Sequence, residues 1–170
     1  DPAFYPPGVL VRDVAALVAA LGLDDFDLVG FSLGARTAAA AVMTGAVAPR
    51  RLVLAGVGLE SLSNWRERAV FFVDTIDRFD DIRQGDPAYF TAQFMKTMKI
   101  DRGAVRLLLT QGIDDPDLGQ LDAISMPTLV VCGDQDRDNG SPQALVRALP
   151  DATFEQVPGT HMGSVTQPEL

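Results

Sequence analysis

Four short apolar runs, separated by stretches with helical patterning, constrain the fold of this 170-residue chain more than any other feature. The runs cover residues 26–31, 51–55, 128–132 and 153–157. Short apolar runs of this kind are typical of buried strands. A helical pattern at 9–21 precedes the first run, and an alanine-rich helical stretch at 32–46 follows it. Because strands that alternate with helices pair in parallel through helical crossovers, we predict an α/β protein with a parallel sheet and flanking helices.

The segment 61–120 has a different character, because none of its apolar residues form a convincing strand pattern. Three helices are predicted there. The first has an amphipathic face with Trp65, Phe72 and Phe79. The second begins with an N-cap and first turn at Asp86 and Pro87, and the third is capped by Asp101. We therefore divide the chain into a core of residues 1–60 plus 121–170 and a helical cap inserted at 61–120. The alternative is that these helices complete the core.

Composition and charge narrow the range of partners. A net charge of −9 repels phosphate backbones and anionic membrane surfaces, so we expect neither a nucleic acid nor a membrane partner. Cys132 is the sole cysteine, which precludes an intramolecular disulfide and is compatible with a reducing compartment. No apolar stretch approaches the ~20 residues of a membrane span, and the start of the chain lacks a signal-peptide pattern. The cytoplasm is the expected location, and the oligomeric state stays open.

The stretch G-F-S-L-G at residues 30–34 places Ser32 between a predicted strand and a predicted helix. A turn this sharp strains the serine backbone and projects its Oγ above the sheet edge. We expect any side chain at Gly30 or Gly34 to collide with neighbouring backbone. The helix N-terminus would place the Leu33 N–H to bind a developing oxyanion. The alternative is that Ser32 caps the helix and the glycines serve packing.

A nucleophilic serine needs a base, and the base needs an acid that orients it. The only imidazole in the chain is His161, in P-G-T-H-M-G after the last predicted strand. Two carboxylates, Asp134 and Asp136, follow the apolar run at 128–132. Because the carboxyl ends of parallel strands meet at one edge, these groups are candidates for a single site.

The motifs D-L-V-G-F-S-L-G, P-T-L-V-V-C-G-D-Q-D and V-P-G-T-H-M, in this order, resemble those of the α/β-hydrolase fold superfamily. The resemblance implies Ser32 as nucleophile, Asp136 as acid and His161 as base. Asp134 and Glu60 are alternative positions for the acid. The resemblance also implies an enzyme that hydrolyses an ester, lactone or related acyl bond, or a C–C bond, and that needs no metal or organic cofactor. A cap rich in Phe and Met suggests a small, fairly apolar substrate.

The sharp turn at Ser32, residues 30–34, is called the elbow below. Two motifs that the superfamily carries upstream of the elbow, an H-G loop and a G-x-G-x-S turn, have no counterpart in this sequence. We therefore expect a fragment that lacks the N-terminal strands and the first oxyanion-hole donor. On this ground the second hypothesis is a catalytically inactive fragment or a non-catalytic protein that binds small molecules.

Overall fold

The computed structural model describes residues 1–168 and contains one parallel four-stranded sheet. The strands lie in chain order: β1 (Asp27–Phe31), β2 (Arg51–Ala55), β3 (Thr128–Gly133) and β4 (Ala152–Val157). The predicted fold class is confirmed, and each strand begins and ends within one residue of its predicted bounds. Residues 169 and 170, the end of the predicted core segment, lie outside the described residues.

The helices of the described residues are α1 (Val9–Leu21), α2 (Leu33–Met43), α3 (Trp65–Asp77), α4 (Tyr89–Thr97), α5 (Arg102–Leu107), α6 (Pro142–Ala148) and α7 (His161–Ser164). The alanines of α2 are buried, and their small side chains let this helix approach the sheet closely. The prediction that α2 continues to residue 46 is wrong. Gly45, at φ +69°, donates its N–H to the carbonyl of Val42 and ends the helix early.

The main core lies between the sheet and its helices. Leu52 and Leu54 of β2 and Val130 of β3 are almost fully buried, together with Ile124 and Leu145. The two central strands thus carry apolar side chains into the core, as expected for a parallel sheet covered by helices.

The chain separates into two compact units. The helical unit comprises Asp1–Val9 and Asn64–Asp114, and the sheet unit comprises Leu10–Ser63 and the described residues from Asp115 onward. The sequence-based division differs in placing the first residues with the core. Within the helical unit, the Gln111 side chain donates to the carbonyl of Pro2, which ties the start of the chain to this unit.

Within the helical unit, polar contacts fix the helices. The Trp65 indole N–H donates to the carbonyl of Leu109, and Arg106 forms two hydrogen bonds with Asp77. Asp101 caps α5 as predicted, because its carboxylate accepts from the Ala104 N–H. The prediction for Asp86 is wrong: it accepts from Ala88 in a turn before α4, which begins only at Tyr89.

Across residues 1–168, no helix is both long enough and apolar enough to cross a membrane.

The fully buried position of Leu54 predicts a large stability effect. Leu54 is 0% exposed, so Leu54→Ala should lower the free energy of unfolding by about 2–5 kcal/mol through lost burial and a cavity. Leu17→Ala is the matched control, because Leu17 is 59% exposed and should change stability by no more than about 0.5 kcal/mol. Urea unfolding followed by circular dichroism measures both, and equal losses would contradict this packing.

Candidate active site

Three of the predicted site residues follow the carboxyl ends of three strands. Ser32 comes directly after β1, Asp136 follows β3, and His161 follows β4. Because all four strands are parallel, these ends lie at the same edge of the sheet. The sheet topology therefore brings together side chains that are far apart in sequence.

Ser32 occupies a strained turn between β1 and α2. Its backbone has φ 53° and ψ −116°, a conformation that costs a non-glycine residue about 1–3 kcal/mol. The Ser32 N–H donates to the carbonyl of Ala55 at the end of β2, which holds the turn against the sheet. The Ser32 side chain makes no capping hydrogen bond to α2, in contrast to the capping alternative. Its Oγ lies 2.9 Å from His161 Nε2.

The two glycines beside Ser32 differ in their surroundings. A Cβ on Gly30 would lie 2.5 Å from the carbonyl oxygen of Gly34 and 2.6 Å from the Ala35 backbone, so only glycine fits. A Cβ on Gly34 would meet no atom within 4 Å outside its own stretch of helix. The expectation of a collision at Gly34 is therefore wrong, because this position already belongs to α2 and faces open space.

His161 contacts both Ser32 and Asp136. Its Nδ1 lies 2.7 Å from Asp136 Oδ2, while its Nε2 faces the serine. The sequence places His161 in a loop, whereas in the structure it is the first residue of the one-turn helix α7. Thr160 caps that helix by accepting from the Gly163 N–H. The cap orients the turn that carries the imidazole.

The Asp136 carboxylate is surrounded by hydrogen-bond donors. Its side chain is 1% exposed, its Oδ1 accepts from the Asp138 N–H, and its Oδ2 accepts from the Cys132 thiol at 3.7 Å. Burial, followed by the nearby Asp136 charge, raises the pKa of the Cys132 thiol to about 11. The thiol therefore stays protonated near neutral pH and acts as a donor to the carboxylate.

The two alternative acids bind backbone amides instead. Asp134 Oδ1 accepts from the Gly159 N–H at 2.8 Å, and Glu60 Oε2 accepts from the Ser141 N–H at 2.7 Å. The Ser141 hydrogen bond also holds the pKa of the Glu60 carboxyl below its usual value. Both carboxylates thus tie down loops beside the site, and the structure does not bring either to His161.

Leu33 is the first residue of α2. The first N–H groups of a helix have no intrahelical acceptor, and they lie at its positive end. The Leu33 N–H is therefore one of the backbone donors that can bind an anionic oxygen near Ser32.

Two further residues contact His161 and a third leaves room for its ring, although none of them was singled out from the sequence. The Phe31 ring stacks on the imidazole with centroids 4.9 Å apart, and Asn139 Nδ2 lies 2.9 Å from Nδ1. Gly56 leaves room for both rings, because a Cβ there would lie 2.8 Å from Phe31 and 3.0 Å from His161. Phe31 adjoins the serine motif and Asn139 follows Asp136 by three residues, but neither has a sequence signal of its own.

Residues 1–168 contain no cluster of three or more His, Cys, Asp or Glu side chains arranged to hold a metal ion.

A parallel sheet with a serine, a histidine and an aspartate in contact at its carboxyl edge is the arrangement of α/β-hydrolase folds. The sequence model of the "Alpha/beta hydrolase family" matches residues 1–170, and the chain belongs to this family. No curated protein matches the sequence.

Solved structures show the same fold at low sequence identity. A hydrolase from Pseudomonas aeruginosa PA01 is 21% identical, with a TM-score of 0.67. The match covers 97% of this chain and 68% of the hydrolase chain. An esterase from Exiguobacterium antarcticum is 16% identical, with a TM-score of 0.71, and the match covers 95% of this chain and 69% of the esterase chain. A proline iminopeptidase from Mycobacterium smegmatis is 19% identical, with a TM-score of 0.64, and the match covers 99% of this chain and 69% of the iminopeptidase chain. The chain thus spans about two thirds of the length of these proteins.

The contrast between the two elbow glycines predicts opposite outcomes for one substitution. Gly30→Ala should lower the free energy of unfolding by about 3 kcal/mol or more, because its Cβ overlaps backbone that cannot move aside. Gly34→Ala should raise it by about 0.5–1 kcal/mol, because alanine favours the helix and the space is open. Urea unfolding of both variants measures this difference, and a well-tolerated Gly30→Ala would refute the tight turn.

Proposed function

We propose that this chain is a serine hydrolase that cleaves an ester, a lactone or a related acyl bond, with Ser32 as its nucleophile. The observation that carries the proposal is the continuous set of contacts from Asp136 Oδ2 through His161 to Ser32 Oγ, at 2.7 Å and 2.9 Å. Serine alone is a weak nucleophile, and a histidine oriented by a third group is the arrangement that activates it.

In the proposed reaction, His161 Nε2 takes the hydroxyl proton as Ser32 Oγ bonds to the substrate carbonyl carbon. The carbonyl π electrons move to oxygen, and the Leu33 N–H stabilises the resulting oxyanion. The intermediate collapses to an acyl-serine as the leaving group departs with the proton from His161. Water then attacks the acyl carbon, with His161 again as base, which releases the acid and restores Ser32.

Asp136 is proposed to orient the imidazole and to stabilise its charged form. Its buried carboxylate accepts a hydrogen bond from Nδ1–H, which leaves the Nε2 lone pair facing Ser32. The carboxylate itself stays ionised throughout, so the proton moves only between serine, histidine and leaving group.

The proposed substrate is small and fairly apolar. The helical unit, which we propose as the substrate-selecting cap, exposes Val70 and Phe71 on α3 and Phe90 and Phe94 on α4. Exposed apolar side chains of this size suit an apolar acyl or alcohol group. Among the similar structures, the Exiguobacterium antarcticum and Thermogutta terrifontis proteins are esterases, which favours an ester over a C–C bond as the first class to test.

Covalent labelling tests the proposed nucleophile directly. A fluorophosphonate probe, which reacts with activated serines, should label the wild type but not Ser32→Ala. Ser63→Ala is the matched control, since Ser63 lies outside the proposed site and its Oγ donates to the Glu60 carbonyl. Absence of labelling in a folded wild-type sample would overturn the proposal in favour of a non-catalytic protein, as would equal labelling of Ser32→Ala.

A pair of isosteric substitutions tests the proposed acid. Asp136→Asn should reduce turnover of a short p-nitrophenyl ester by on the order of 10³–10⁴-fold, because an uncharged amide does not stabilise the charged ring that forms when His161 takes the serine proton. Asp134→Asn should reduce it by less than about threefold, because an asparagine oxygen can still accept from Gly159. The reverse ranking would assign the acid role to Asp134.

A further inference from the structure

We propose that Asn139 is a positioning residue for His161, with its side-chain oxygen accepting a second branch of the hydrogen bond from Nδ1–H. The inference rests on the proposed function, because it concerns how the base is held for Ser32. It begins from one observation: two side chains approach the same ring nitrogen. Asp136 Oδ2 lies 2.7 Å from Nδ1, and the amide nitrogen of Asn139, Nδ2, lies 2.9 Å from it.

A neutral imidazole nitrogen carries either a proton or a lone pair, so it cannot donate to one partner and accept from the other. The surroundings of Asp136 decide which it carries. This carboxylate already accepts from the Asp138 N–H and from the Cys132 thiol, as an ionised group requires. A lone pair on Nδ1 at 2.7 Å from such an oxygen would be repelled, so Nδ1 carries the proton.

With the proton on Nδ1, an Asn139 N–H pointed at the ring would set two donors against each other. The amide oxygen and nitrogen occupy equivalent positions, and a half-turn of the amide exchanges them. The hydrogen-bonding pattern of the site therefore selects the orientation with Oδ1 towards Nδ1–H. The proton then lies between two acceptors, Asp136 Oδ2 and Asn139 Oδ1.

Asn139 is well anchored for this role. It is buried, with 4% of its surface exposed, and its backbone carbonyl accepts from the Gly58 N–H on the loop after β2. Two residues further on, Ser141 donates to Glu60 Oε2. Hydrogen bonds at Asn139 and at Ser141 thus hold the loop that carries Asp136 and Asn139 to the loop after β2.

The consequence for the proposed reaction is control of the tautomer. A second acceptor on Nδ1–H raises the cost of moving the proton to Nε2, where it would block the lone pair that must accept the serine proton. Of the titratable groups around the ring, Asp136 contacts Nδ1, Cys132 contacts Asp136, and Asp134 and Glu60 bind backbone amides of adjacent loops. Asn139 adds an acceptor without adding a charge.

The sole histidine of the chain makes this testable without any assay of turnover. Because the sequence has one histidine, selective ¹⁵N-histidine labelling gives ring-nitrogen NMR signals from His161 alone, and their chemical shifts report the tautomer directly. In the wild type we expect the Nδ1–H form. In Asn139→Asp, which keeps an acceptor in place, we expect the same tautomer as in the wild type. In Asn139→Leu, which removes the second acceptor but leaves Asp136 in place, we expect the Nδ1–H form to remain the larger share, with the Nε2–H form detectable beside it.

Turnover of the p-nitrophenyl ester supplies a second readout. Asn139→Leu should lower kcat about tenfold at an unchanged KM, whereas Asn139→Asp should keep kcat within threefold of the wild-type value. Asn64→Asp is the matched control for the added charge, because Asn64 is an exposed residue of the helical unit. It should leave both the ring shifts and the kinetics at wild-type values.

Two results would overturn the inference. If the wild type shows the Nε2–H form, the amide donates rather than accepts; if Asn139→Leu shows the Nδ1–H form alone, Asn139 does not position the ring. Should Asn139→Leu not fold, Asn139→Ala, which also removes the acceptor, takes its place, and the Nδ1–H form alone in that variant would overturn the inference. A failed proposed function is distinguishable, because the wild type would then lack turnover and probe labelling while the ring shifts still report on Asn139.

Discussion

The contact between Ser32 Oγ and His161 Nε2 joins residues that are 129 positions apart, and the rest of the site is arranged around it. It depends on the parallel order β1-β2-β3-β4, which brings the ends of β1 and β4 to one edge with the ends of β2 and β3 between them. The inner strands contribute more than spacing. Ala55 at the end of β2 accepts from the Ser32 N–H, and the loop after β3 supplies Asp136.

The carboxylates near this edge divide between two tasks. Asp136 is buried among donors and faces the imidazole, whereas Asp134 and Glu60 accept from the backbone of Gly159 and Ser141. The second task supports the first, because those two amides belong to the loops that carry His161 and Asp136. A network of this kind makes the ring geometry depend on backbone hydrogen bonds as well as on the acid itself. Removing one loop contact would therefore disturb the imidazole without touching it.

Much of this arrangement could be predicted from the sequence. The four apolar runs predict the parallel sheet, because buried strands alternating with helices leave few other folds, and the strand ends then predict where Ser32, Asp136 and His161 lie. The local details were harder to predict. A collision was expected at Gly34 and found only at Gly30, because the spacing of two glycines does not reveal which one packs against backbone. A cap was expected at Asp86, but the turn there delays the helix to Tyr89.

By itself, the sequence determined the fold class, the strand positions and the family, since these follow from hydrophobic periodicity and from motifs that are local in the chain. Tertiary structure alone decided which further residues surround His161. Asn139, Phe31 and Gly56 have no distinctive sequence pattern. Asn139 and Phe31 contact the ring, and Gly56 leaves room for it, only because three loops and a strand end meet there. The physical reason is that periodicity reports which face of an element is buried, whereas a hydrogen bond between loops depends on where the folded backbone carries each side chain.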